Sequence, residues 1–94
     1  KAKPDVPDIS QLNVQVHNNR VFVNTIKAPD GLSYKIALHN EVNQQKNVWQ
    51  GTTASGEFSF LLKEYGKQTL TLLLVDADGV SGPEAIYEFN AAPQ

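Results

Sequence analysis

Cysteine and methionine are both absent from these 94 residues. The first absence removes disulfides, thiol chemistry and cysteine-ligated zinc together, so burial and backbone hydrogen bonds must hold the fold. The second means that no initiating methionine is present, and the chain is expected to be an excised domain or a processed product. Long apolar runs are also missing. The longest, Leu72 to Val75, is strand-sized, whereas a membrane-spanning helix needs about 18 apolar residues. No membrane insertion is therefore expected, and nothing at the start has the pattern of a signal peptide. Positive charge is scarce as well. Eight Lys and Arg against ten Asp and Glu give a formal net charge of −2. No basic stripe is available to neutralise phosphates, so nucleic acid is not an expected partner.

What is present is the composition of a single globular unit. With 40% hydrophobic and 19% charged residues, the chain has enough apolar surface to pay for ordering one core, which a disordered segment lacks. Both ends read as linkers. Residues 1–8 contain Pro4 and Pro7, each of which removes a backbone donor and biases its neighbour toward extended geometry. Residues 91–94 close on Pro93. The expected domain is 9–90.

Within it the apolar period is two. Leu12, Val14 and Val16 alternate with Asn13, Gln15 and His17, the pattern of a strand with one buried and one wet face. Asn18-Asn19 tolerates the positive φ of a tight hairpin. A two-residue turn there sets Val16 opposite Val21, Val14 opposite Val23 and Leu12 opposite Thr25. After the Ala28-Pro29-Asp30-Gly31 turn signal, Tyr34, Ile36 and Leu38 form a third strand. Residues 40–47 are polar and read as a loop. Val48 to Gln50 is a short fourth strand, and Phe58, Phe60 and Leu62 mark a fifth. Leu70, Leu72 and Leu74 mark a sixth, with Leu73 and Val75 making it apolar on both faces, as for a strand covered on two sides. Ala85 to Phe89 is the seventh. Seven short strands punctuated by turns, with no helical stretch, predict an all-β, antiparallel β-sandwich, and a small barrel is the alternative. Its interior is expected to hold Leu12, Val14, Val16, Val21, Val23, Tyr34, Ile36, Leu38, Phe58, Phe60, Leu70, Leu72 and Leu74.

The run from Ser55 through Phe60, then Gly66 to Thr71, then Val75-Asp76-Ala77-Asp78-Gly79-Val80-Ser81, resembles the closing half of bacterial immunoglobulin-like (Ig-like) domains. Trp49-x-Gly51, Ser55-Gly56, Phe58 and Ala77-Asp78-Gly79 resemble, more loosely, the fibronectin-III-like N-terminal module of bacterial chitinases. The resemblance implies a seven-stranded Ig-like or fibronectin-III-like sandwich, serving as an accessory domain of a larger extracellular or cell-surface protein. The pattern departs from strict fibronectin III at one place. A tyrosine usually stands near the start of the sixth strand and ties down the preceding corner through its hydroxyl. This chain has Gln68 and Thr69 there.

Catalytic chemistry is thin. His17 and His39 fall on predicted outward faces, whereas a metal site needs converging ligands. No nucleophile motif is present. The carboxylates are scattered, with none set on an apolar background that would raise its pKa for acid catalysis. Asp76-x-Asp78-Gly79 begins like a calcium loop but lacks the remaining oxygen ligands in register, and Asx-turn chemistry accounts for both aspartates. No catalytic residue, metal or cofactor is expected. Trp49 is the residue with the greatest binding potential, since an indole face can stack on a sugar ring. Tyr34, Tyr65 and Tyr87 extend that platform if they share its face. Two functions follow: a non-catalytic spacer or interaction module whose partners are other domains of the same polypeptide, or a glycan-binding or adhesive module that takes a chitin-like polysaccharide or a surface protein.

Overall fold

The computed structural model describes residues 2–42 and 45–92 of the chain. Seven strands run β1 (Asn13–His17), β2 (Arg20–Asn24), β3 (Leu32–Val42), β4 (Gln45–Thr53), β5 (Glu57–Leu61), β6 (Gly66–Asp76) and β7 (Ala85–Ala91). They form a three-stranded sheet ordered β1-β2-β5 and a four-stranded sheet ordered β4-β3-β6-β7, antiparallel throughout. The described residues contain no helix. This is the expected sandwich, and its core is the meeting of the two inner faces. Val21, Val23 and Phe60 come from the smaller sheet, and Tyr34, Ile36, Leu38, Leu70, Leu72 and Leu74 from the larger. Leu12, Val14, Val16 and Phe58 pack at its margin.

The first hairpin follows the expected register. Val14 pairs with Val23 and Val16 with Val21, and the turn is closed with a φ of 57° at Asn18, a geometry that asparagine tolerates better than most residues. The ladder stops at Asn13 opposite Asn24, so Leu12 and Thr25 do not pair. Thr25 instead donates its N–H to the Gly56 carbonyl at 2.9 Å, which continues β2 into the β5 ladder.

Residues 40–47 differ from the loop expected of them. β3 and β4 pair beyond the apolar stretch, through Asn40 opposite Asn47, Glu41 opposite Lys46 and Val42 opposite Gln45. Residues 43 and 44 lie outside the described residues. Strand pairing satisfies backbone groups whatever the side chains carry, so a hydrophilic stretch can extend a hairpin whose register its apolar half has already set.

β6 is central in its sheet without being covered on both faces. Leu70, Leu72 and Leu74 point inward and are at most 5% exposed, while Leu73 and Val75 are half-buried on the outer face. Their rows run through Lys35 and Ser33 of β3, and neighbouring side chains on the sheet supply the partial cover.

The ends are more engaged than linkers need to be. Pro7 is buried, and Pro4 lies so close to Gly82 that a Cβ there would collide with the Pro4 carbonyl. At the other end β7 runs on to Ala91, which pairs with Gly66 and is 2% exposed. Packing thus reaches Pro4 and Pro7 before residue 9 and Ala91 after residue 90.

Gly56 fixes the turn between β4 and β5. Its φ is +87°, and a Cβ on it would sit 2.6 Å from the carbonyl oxygens of both Thr25 and Ile26. Gly79 has a similar φ of +84° with open space around it, so the two positions separate conformational strain from collision. Gly79→Ala should cost about 1 to 2 kcal/mol, the price of left-handed backbone alone. Gly56→Ala should cost about 2 to 5 kcal/mol, because backbone must also move. Equal losses in denaturant unfolding would show that the approach to β2 contributes nothing.

Candidate functional site

Of the four aromatic residues expected to form a platform, the three tyrosines have described side chains, and they stand in different settings. Tyr34 is 2% exposed and belongs to the core, so it offers no face to a sugar. In the larger sheet Tyr34 pairs with Leu74, whereas Tyr87 pairs with Leu70. That offset of four residues is about 13 Å along the strands. Tyr87 packs against the core and beside Phe89, with ring centroids 6.1 Å apart. Tyr65 is 44% exposed and belongs to the connection between β5 and β6. Its hydroxyl donates to the Asn18 carbonyl at 3.4 Å, which ties that connection to the first hairpin turn. The Trp49 backbone pairs with Leu38 in the β3–β4 ladder, and its side chain lies outside the described residues.

The corner between β5 and β6 is built from amides. Gln68 is fully buried and Asn40, opposite it in register, is 4% exposed. Gln68 Nε2 donates to the carbonyls of Glu64 at 2.9 Å and Gly66 at 3.2 Å. Asn40 Nδ2 donates to Glu64 at 3.2 Å and Tyr65 at 3.5 Å. Two carboxamides thus hold the connection that a tyrosine hydroxyl holds in a strict fibronectin-III corner. Their orientation is fixed, because reversing either amide would set oxygen against carbonyl oxygen. The presence of Gln68 at the tyrosine's usual place was the one signal of this corner in the sequence.

Asp76, the last residue of β6, shapes the turn that follows. Asp76 Oδ1 accepts the N–H groups of Asp78 and Val80, both at 2.9 Å, and the Asp76 and Val80 backbones close the loop at 3.0 Å. This is the Asx-turn arrangement, in which a carboxylate stands in for a backbone carbonyl. Among the described residues no group of three or more His, Asp or Glu could hold a metal ion. His17 is exposed and His39 half-buried, on separate sheets.

At the N-terminal side, the Asp8 carboxylate accepts the Ser10 N–H at 2.9 Å, which holds its pKa below the ordinary 3.8. Burial, and after it the negative charge of Asp8, push the Tyr34 hydroxyl above the ordinary 10.0. A raised folded-state pKa means that the folded protein holds this proton more tightly than the unfolded chain does. The stabilisation is complete below the unfolded value and is lost as pH rises through the folded one. Unfolding free energy should therefore fall above about pH 10, and Tyr34→Phe should flatten that fall. An unchanged alkaline slope in the variant would assign the effect to other groups.

No protein-family model matches this chain, and no curated protein matches it. Among solved structures it is similar to the third fibronectin III domain of the human KIAA0343 protein. The TM-score is 0.67 at 19% identity, over 95% of this chain and 82% of that one. The similarity, with the two-sheet topology, defines a fibronectin-III-like β-sandwich.

Proposed function

We propose that this chain is a non-catalytic spacer and interaction module of a larger secreted or cell-surface protein, whose partners are the neighbouring domains of the same polypeptide. The observation that carries this reading is the path of the chain through the sandwich. Pro4 lies against Gly82, beyond the end of β6, and Ala91 pairs with Gly66 at its beginning. β6 has 11 residues, a span of about 36 Å at ~3.3 Å per residue. The body is elongated, 42 × 25 × 18 Å. The chain thus enters near one pole of a rod and leaves near the other, the geometry that sets modules in line.

Fibronectin-III-like domains are generally non-catalytic, and the aromatic arrangement supports a spacer over a glycan platform, with Tyr34 buried and Tyr65 and Tyr87 on different elements. The test is retention of the purified domain on insoluble chitin and cellulose. A spacer passes through both. Retention that free oligosaccharide competes away would overturn the reading in favour of a glycan module.

A further inference from the structure

β5 is an edge strand, and its hydrogen-bond phase shows which groups face outward. Thr25 donates to Gly56 at 2.9 Å and Leu62 to Asn19 at 2.7 Å, at the two ends of the β2–β5 ladder. Bonded pairs in an antiparallel ladder recur at every second residue. Gly56, Phe58, Phe60 and Leu62 therefore direct their backbone groups to β2, and Ser59 and Leu61 direct theirs away from it. Among the described residues no strand pairs with this outer edge. The Glu57 N–H is taken by Ser55 Oγ at 3.2 Å, which leaves its carbonyl. On the outer face Glu57, Ser59 and Lys63 are exposed, and Leu61 is 54% exposed. Charges, Lys above all, are among the devices that keep natural edges from pairing. Here, however, Glu57 at the start of β5 and Lys63 two residues past its end are opposite in sign and lie three positions either side of Phe60, so a two-fold axis makes them complementary.

We propose that β5 pairs antiparallel with β5 of a second copy of this chain about a two-fold axis at Phe60, joining two three-stranded sheets into one. The axis sets Ser59 opposite Leu61 of the second copy, and each pair exchanges both backbone hydrogen bonds. It also sets Glu57 opposite Lys63 of the second copy, so the register makes two symmetry-related ion pairs. Shifting the axis to Ser59 would put Glu57 opposite Leu61 and leave Lys63 without its partner, so charge selects one register. The exposed Leu61 side chains become diagonal neighbours across the seam. An edge-only contact is small, and the dimer is accordingly weak and concentration-dependent.

Sedimentation equilibrium on the chain, carried to millimolar concentration, should show reversible dimerisation. Lys63→Glu sets carboxylate against carboxylate and should abolish it, and Glu57→Lys with Lys63→Glu in one chain should restore it. Both positions are exposed, so the changes leave the core untouched. Amide exchange should slow at Ser59 and Leu61 on concentration. A chain that stays monomeric, a Lys63→Glu variant that dimerises as well as the parent, or a dimer with those two amides unprotected would each overturn the proposal.

Discussion

Replacing Leu72 by alanine should destabilise the domain by about 2 to 5 kcal/mol, a large share of the 5–15 kcal/mol typical of such units. Leu72 is 1% exposed and stands on β6 with Ile36 on one side and Ala85 on the other in register. Ile36 is itself fully buried. Truncation removes apolar surface from a place where the neighbours are strands fixed by hydrogen bonds on both sides, so the lining cannot collapse to fill the gap. Leu73→Ala, one residue along on the half-buried outer face, is the matched control and should cost much less. The measurement is the denaturant midpoint at constant slope. A Leu72 loss below half a kcal/mol, or one equal to that of Leu73, would place the core elsewhere.

That contrast also shows which parts of the fold were legible in the sequence. Alternation over Leu12 to His17 identified a strand, and a two-residue turn at Asn18-Asn19 set the register of Val14 and Val16 that the structure has. The apolar run at Leu72 to Val75 carried no such alternation, and centrality in the sheet was read from it as double cover. Hydrogen-bond centrality and burial of both faces are separate properties, and β6 has only the first. Residues 40–47 were misread for a related reason. Polarity reports exposure, and it does not say whether the backbone pairs. Asn40 makes the point most directly, being polar, paired and 4% exposed.

The candidate site was less legible than the fold. Tyr34 alternates with Lys35, so it was predicted to be both core and sugar platform, and only burial decides between them. Burial chose the core. The Asn40–Gln68 corner was hidden because a carboxamide can hold a carbonyl from many geometries, and no short motif marks which backbone it will reach. The aspartates at Asp76 and Asp78 were the reverse case. Asx-turn chemistry is local, within four residues, and spacing alone was enough to expect it.

Trp49 carries the last expected result, a loss of about 3 to 5 kcal/mol on replacement by alanine. Trp49 stands opposite Leu38, and Leu38 opposite Leu70, and both leucines are buried between the sheets. The spacer reading expects the tryptophan of this backbone row to pack with them, as a large aromatic that meets no ligand usually does. A spacer requires a tryptophan there for packing, and its removal should lower the unfolding midpoint while leaving passage over polysaccharide unchanged. A glycan platform requires the opposite pair of outcomes, because a stacking surface contributes to binding and little to packing. Near-parental stability of Trp49→Ala, with loss of polysaccharide retention that the parent domain shows, would assign the residue to a ligand and reject the spacer reading.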